Sequence, residues 1–504
     1  MTLAQVWGVV PAGVTGVMVK VEVDVAQGLP TVGVVGLAQA SVSESRWRVR
    51  SAMVNSGCIW PNSRITIGLS PADLPKSGTS LDLPIAVALL LASDQLPAID
   101  PECSFIGELG LDGEVKAVPG ALAAGIAAHR HGVTRMVVNI DNAAELNEIQ
   151  GLEVVAVRDL RHVIEVLKGS AEGAHVSSEP KASVIHEGGD FHEVRGHEQS
   201  RFALEVAAAG GHHVSMVGEP GVGKTMLAQR FASILPELSH EQALEVTSLH
   251  TLAGRIGPGL GLIRRPPLIA PHHSISTGAM LGAVRGGVLQ PGALSLANHG
   301  VLFLDEAPEF ARPCLEGMRQ PLEQGTLALM RVGHVVLAPA QFQLILAANP
   351  CPCGNAVGIG AQCKCDALAK RRYAQKLSGP LMDRMDIRMV LSRPTNAHLR
   401  SSVAESSAVM AARVLQARQK AELRWADEAW TLNAQAPGQI LRARYAPTTD
   451  GLALLSQAET CGLNPRGSDR VLRLAWTIAD LEGVDVVTRD HIALALSLRS
   501  ESFQ

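Results

Sequence analysis

Three regimes of apolar and polar spacing follow one another along the chain. From residue 1 to about 168, short alternating apolar runs suited to strands trade places with alanine-rich stretches suited to helices, which predicts an α+β block. Residues 169–190, GSAEGAHVSSEPKASVIHEGGD, lose both the periodicity and the aliphatic content, as a linker does. Between 191 and 392 the apolar runs HHVSMV (212–217), VLFL (301–304) and QLILAA (343–348) alternate with helical stretches, the pattern of a parallel α/β sheet. From 393 to 504 the period is helical: SSAVMAARVLQARQKAELRW and RVLRLAWTIADLEG carry apolar residues at i, i+3, i+4 and i+7, which predicts an α-helical lid.

The chemistry concentrates in the third of these segments. GEPGVGKT at 218–225 satisfies G-x-x-x-x-G-K-[ST] at every fixed position and lies between a strand-like run and a helix, the context that a phosphate loop requires. Gly218, Gly221 and Gly223, with Glu219, Pro220 and Val222 between them, let backbone N–H groups turn inward around phosphate oxygens. Lys224 is expected to reach the β- and γ-phosphates and Thr225 to hold Mg²⁺, at a helix N-terminus whose dipole favours anions.

Downstream, the run 301–304 delivers Asp305 and Glu306 to the carboxyl edge of a strand, where ligands bind in open α/β sheets. Asp305 is expected in the Mg²⁺ shell, and Glu306 is expected to orient and deprotonate the attacking water. Asn349 ends the run 343–348 and is read as the amide that holds that water or the γ-phosphate, with a turn residue before Pro350 as the alternative. In SGPLMDRMDIRMV (378–390), Arg384 lies between acids ahead of another strand and is expected to reach a neighbouring subunit's nucleotide. A local ion pair with Asp383 or Asp386 is its alternative, and Arg388 is the reserve candidate.

At 504 residues the chain exceeds one ordinary core, so two or three domains are expected. Its 47% apolar and 18% charged residues exclude a disordered chain. No continuous apolar run approaches the ~20 residues of a membrane span, and no basic region precedes the first apolar stretch, which predicts a cytoplasmic protein. A formal charge of −4 confines any nucleic-acid contact to a local surface. Four of the eight cysteines, Cys351, Cys353, Cys363 and Cys365, crowd into CPCGNAVGIGAQCKC and can offer four thiolates to Zn²⁺. Their C-x-C spacing is less usual than C-x₂-C, so a loop of reduced thiols without metal stays open. Cys58, Cys103, Cys314 and Cys461 are expected to be small buried apolar residues.

As a set, the phosphate loop, APHHSIS (270–276), PGALSLANHGVLFLDEAPEF (291–310), MRQPLEQG (318–325), AANPCPCG (347–354), SGPLMDR (378–384) and WTIADL (476–481) resemble the AAA+ ATPases of the magnesium chelatase class. Within that class they resemble the ComM subfamily more closely, over nearly the whole chain. The resemblance implies an AAA+ parallel-sheet ATPase domain and a helical C-terminal lid, ATP and Mg²⁺ as ligands, and a homo-oligomeric, hexameric ring. It makes Asn349 sensor 1, Arg384 the arginine finger, and Arg466 in NPRGSDR sensor 2, with Arg470 as the other candidate. Ala293 and Pro267 stand where the family pattern usually has an acid and an aromatic residue.

The N-terminal block resembles the family's own N-domain, which is similar in fold to the Lon protease domain, through 28–52, 70–86 and GELGLDGEV (107–115). Ser80 then matches the position of Lon's nucleophile, but the activating lysine would fall near Leu122, where there is none. Leu81 and Asp82 replace the small residues of Lon's turn, and Lys116 would have to be recruited from elsewhere. A domain without protease activity is expected. TLALMRVGHVVLAPA (326–340) reads as a β-hairpin, and in helicase-like relatives such a hairpin enters the ring's pore, where Arg331 and His334 could touch a phosphate backbone. A rim hairpin with a solvated arginine is the alternative. With 3% aromatic residues, backbone tracking suits the chain better than base stacking. The expected function is a DNA translocase for branch migration in recombination or natural transformation, the alternative a chelatase-type ATPase acting on a protein.

Overall fold

The uninterrupted valine alternation at the N-terminus produces longer strands than the short runs predicted there. In the computed structural model β1 (Thr2–Ala12) and β2 (Thr15–Ala26) pair antiparallel in register from Thr2↔Val25 to Ala12↔Thr15. One face buries Val19, Val21 and Val23 completely, and each such side chain contributes about 1.5–3 kcal/mol. The structure describes residues 2–500 apart from 13–14, 37–39, 72–78, 176–188, 258–260, 286–287, 332–333, 357–362 and 395–403. Most of the expected linker thus lies outside the described residues.

β3 (Thr31–Val35), β4 (Arg64–Ser70) and β5 (Cys103–Phe105) join this hairpin, a small ribbon of β6 (Glu108–Leu109) and β7 (Val115–Lys116) follows, and β8 (Arg135–Asn139) and β9 (Glu153–Val157) complete the sheet. The order β3-β4-β2-β1-β5-β8-β9 mixes antiparallel and parallel pairs, an α+β arrangement. The helix Asp82–Ala92 is buried on nearly every residue beneath it. The helix Ala121–Arg130 covers part of the same sheet and shares a core with the helix His240–Leu252 through Leu122, Ala124, Ala243 and Val246, so the N-terminal block is docked on the next one.

The second sheet is wholly parallel where its register is set. β10 (Val214–Gly218) lies between β17 (Gln343–Ala348) and β18 (Ile387–Leu391), and β14 (Val301–Leu304) separates β17 from β11 (Leu268–Ile269), which gives the order β11-β14-β17-β10-β18. β10, β14 and β17 are buried on every residue, which is why they read as continuous apolar runs. Two hairpins leave this layer: β12 (Gly282–Arg285) with β13 (Val288–Pro291), and β15 (Thr326–Arg331) with β16 (His334–Pro339). The second is the hairpin predicted at 326–340. Its turn residues 332 and 333, and the side chains of Arg331 and His334, lie outside the described residues.

The C-terminal part is helical, led by Ser407–Arg424 and Pro465–Glu482. The latter starts with Pro465 behind an Asn464 cap that accepts from the Gly467 amide, and stops at Gly483 in the left-handed region. One hydrophobic core runs from β10 and β18 into these helices through Met216, Ile387, Val414, Val471 and Ala475. A buried polar network reinforces the seam. Arg470 pairs with Asp386 just ahead of β18, Asp386 also meets His212 Nδ1 at 3.3 Å, and His212 Nε2 reaches Thr477 Oγ1 at 2.8 Å. Burial pushes the Asp386 carboxyl up, but the His212 hydrogen bond and the Arg470 charge override it and hold the group well below the usual carboxylate range.

The lone cysteines do not all behave as expected. Cys103 and Cys314 are buried, whereas Cys58 is half-buried and Cys461 exposed. Cys461 closes the helix Thr449–Thr460 next to Gly462 at φ +108, and a C-terminal turn faces solvent whatever the polarity of its residues. Among the described residues no helix is long and apolar enough to cross a membrane.

Candidate nucleotide-binding site

Three parallel strands end side by side and present the predicted residues at one edge. β10 runs into the loop 218–223, whose Gly221 and Gly223 adopt φ of +76 and +102, and the chain then enters the helix Lys224–Phe231. Lys224 is 8% exposed, and its Nζ donates to the Gly218 and Glu219 carbonyls at 2.5 and 3.0 Å and to Asn349 Oδ1 at 3.0 Å. The ammonium thus lies inside the loop, next to the polar amide that follows β17. Burial lowers its pKa, opposed by the Asp305 and Glu306 charges.

Thr225 Oγ1 donates to Asp305 Oδ2 at 2.6 Å, so the two oxygens expected around Mg²⁺ are already adjacent. Glu306 sits at φ +51, an uncommon conformation for a non-glycine residue. Its own N–H donates to Asp305 Oδ1 at 2.9 Å. The Glu306 side chain is half exposed and meets His273 Nδ1 at 3.3 Å.

His273 has no role in the sequence reading, although it stands in APHHSIS; nothing local tells which of two adjacent histidines faces an acid on another strand. His197 was also missed. It is buried under the loop beside the Val222 backbone, and burial lowers its pKa. Arg393 follows β18 and meets Glu219 at 3.3 Å, an ion pair across the rim of the loop.

Arg384 does not reach this site within its own chain. Its guanidinium pairs with Glu323 and donates to the Pro380 carbonyl at 2.6 Å, so the local partner is neither Asp383 nor Asp386. Asp386 is taken by Arg470, which also donates to the Arg384 carbonyl at 3.0 Å. Arg388 donates to the Met382 carbonyl at 3.2 Å, and Arg466 is exposed in the first turn of the helix Pro465–Glu482.

Two residues beyond Asn349 the four clustered thiols converge. Cys351 Sγ lies 3.3 Å from Cys353 Sγ and 3.7 Å from Cys363 Sγ, Cys353 and Cys363 are 3.7 Å apart, and the four sulfurs including Cys365 lie within 4.8 Å of one another. The edge of a tetrahedron of thiolates about 2.3 Å from Zn²⁺ is about 3.8 Å, so the donor set fits that ion.

Family models carry the assignment further. The magnesium chelatase subunit ChlI family matches residues 190–399, its C-terminal part matches 404–499, and a further ChlI model matches 21–142. A Mycobacterium tuberculosis protein is 43% identical over 501 residues, covering 99% of both chains. YifB of Escherichia coli is 39% identical over 511 residues (99% of this chain, 97% of YifB), and the competence protein ComM of Haemophilus influenzae is 35% identical over 508 (99% and 98%). The chain belongs to the ComM/YifB type of magnesium-chelatase-like AAA+ ATPases. Over 167 residues it is also 25% identical to Lon protease 2 of Bacillus subtilis, 30% of either chain. In this ComM-type protein Ser80 is 3% exposed and its Oγ has no hydrogen-bond partner among the described residues. Leu122 is fully buried and Lys116 is exposed on β7.

Proposed function

We propose that this ComM-type protein is an ATP-hydrolysing DNA translocase that works in the cytoplasm as a hexameric ring and drives branch migration in recombination or natural transformation. The observation that carries the motor is the meeting of Lys224, Asn349, Thr225 and Asp305 at the ends of three adjacent strands. Lys224 and the backbone N–H groups of the loop 218–225, Pro220 excepted, would hold the phosphates, and Thr225 and Asp305 would hold Mg²⁺, which neutralises phosphate charge when bound. Glu306, half exposed and beside His273, takes the proton of the attacking water. Arg384 would leave Glu323 for the neighbouring subunit's nucleotide, and Arg466, exposed on the lid, would meet its own. In this reading 1–168 is the Lon-like block without protease activity, 191–392 the ATPase and 393–504 the lid, and the four clustered cysteines bind one Zn²⁺.

The DNA reading rests on the relative ComM and on the hairpin β15–β16, which leads directly into sensor strand β17 and brings Arg331 and His334 to adjacent register positions next to its turn. A protein substrate is favoured by a different feature of the same hairpin: Val335 and Leu337 of β16 are 63% and 64% exposed, an apolar strip without charge. ATPase assays with and without forked DNA separate the two. Turnover is expected to rise with DNA and to lose that rise as salt increases, and Arg331→Ala is expected to bring the ratio of stimulated to basal turnover to one. A flat DNA titration with active enzyme would transfer the assignment to a protein-remodelling motor.

A further inference from the structure

The two segments that carry the four thiols, 351–356 and 363–365, adjoin three walls of the nucleotide site. At the start of the first, Cys351 is completely buried two residues after Asn349, whose side chain accepts from Lys224. Its tight turn closes through the Gly354 N–H, which donates to the Cys351 carbonyl at 3.0 Å. Gly354 sits at φ +81, and a Cβ there would stand 2.7 Å from both Cδ and Cγ of Pro220, so the cysteine turn rests directly on the phosphate loop. At the end of the second, Cys365 precedes Asp366, which caps the helix Ala367–Gln375 by accepting from the Ala369 amide at 2.5 Å. That helix returns Tyr373 to the Asn349 backbone, and Lys376 just beyond it to Glu309 at 2.9 Å, three residues past Glu306.

Thiols are weak hydrogen-bond donors and acceptors, so four of them gain little by converging, while thiolates around a divalent ion gain a great deal. We infer that a metal ion held by Cys351, Cys353, Cys363 and Cys365 is the brace that sets the phosphate loop, Asn349 and the Glu306–Glu309 turn in their working positions, so that nucleotide affinity depends on metal occupancy. The inference rests on reading this cluster as a Zn²⁺ site and is independent of what the motor acts on. Linkage makes the dependence reciprocal: bound nucleotide raises the affinity for Zn²⁺ by the same factor that Zn²⁺ raises the affinity for nucleotide.

The test uses the full chain, Zn²⁺ and a fluorescent ADP analogue. Purified protein is expected to carry one Zn²⁺ per chain; removing it with a chelator is expected to weaken ADP binding at least about fivefold, and adding Zn²⁺ back to restore it. Gly354→Ala, which keeps all four cysteines but wedges the turn off Pro220, is expected to retain Zn²⁺ and still bind ADP less tightly. Unchanged ADP affinity in the zinc-free chain, folded by circular dichroism, overturns the inference, as does wild-type affinity in Gly354→Ala. Should the zinc-free chain unfold, the reciprocal reading decides: saturating ADP is expected to raise the affinity for Zn²⁺ at least about fivefold in competition with a chelator, and an unchanged Zn²⁺ affinity overturns the inference. A chain purified without zinc, with all four thiols titratable, removes the metal reading beneath it, and no ADP binding by the zinc-loaded wild type would instead be a failure of the nucleotide site.

Discussion

The helices Lys224–Phe231 and Asp82–Ala92 both follow a loop that a sequence motif marks for chemistry, and both begin with a charged residue that is almost wholly buried. At the first, Lys224 is held by carbonyls and by Asn349, groups that a phosphate can replace, and Thr225 beside it is exposed. At the second, Asp82 is locked by a bidentate Arg48 pair at 2.8 and 3.1 Å, and the neighbouring Ser80 Oγ is buried without a hydrogen-bond partner among the described residues. Burial raises the Asp82 pKa while the Arg48 and Ser45 hydrogen bonds pull it down. The phosphate loop therefore keeps its polar groups exchangeable, whereas the start of the second helix spends Asp82 on a structural ion pair. A nucleophile needs an adjacent base and a path for substrate, so a serine at the right alignment position is not by itself a site.

The largest effects should fall on the first loop. Glu306→Gln is expected to bind ATP normally and to lose turnover by about 10²–10³-fold, because the base is gone while the phosphate cradle stays. Arg384→Ala should lose a comparable factor and regain part of it when mixed with Lys224→Ala subunits, since some interfaces then join an intact loop to an intact arginine. Steady-state ATPase assays check both, and wild-type turnover in Glu306→Gln would end its assignment as base.

An intermediate effect is expected at the second loop, on folding instead of catalysis. Arg48→Ala strands a fully buried carboxylate and should cost about 3 kcal/mol, read as a lower Tm in thermal melts. The sign with pH follows from the raised pKa of Asp82. Without the guanidinium the folded state tolerates only the neutral acid, so the deficit should grow as pH rises above the ordinary aspartate range and shrink on acidification. A deficit independent of pH would mean that Arg48 acts through packing.

The smallest effect belongs to Ser80→Ala. Removing a buried hydroxyl that has no partner among the described residues should leave stability unchanged or raise it by about 1 kcal/mol, with ATPase turnover intact. If wild-type protein cleaves an unfolded polypeptide and Ser80→Ala does not, the contrast between the two loops collapses.

Local pattern was sufficient for the buried strands of the second sheet, for the two arms of the hairpin and for the phosphate-loop motif itself. VLFL and QLILAA became β14 and β17 without a change of boundary, and the hairpin at 326–340 formed on both sides of its predicted turn. Buried parallel strands write themselves as unbroken apolar runs, and a phosphate loop needs glycines and a lysine at fixed spacing, so both are legible over a few residues. What the sequence could not decide was which groups meet across the sheet. Lys224 and Asn349 are 125 positions apart and touch only because β10 inserts between β17 and β18. The same topology selected Glu323 for Arg384, gave Asp386 to Arg470, turned His273 toward Glu306, and set Gly354 against Pro220. Periodicity is a property of neighbouring residues, whereas each of these contacts depends on strand order and on the path of a connecting loop, which the chain acquires only when its separate apolar faces are buried together.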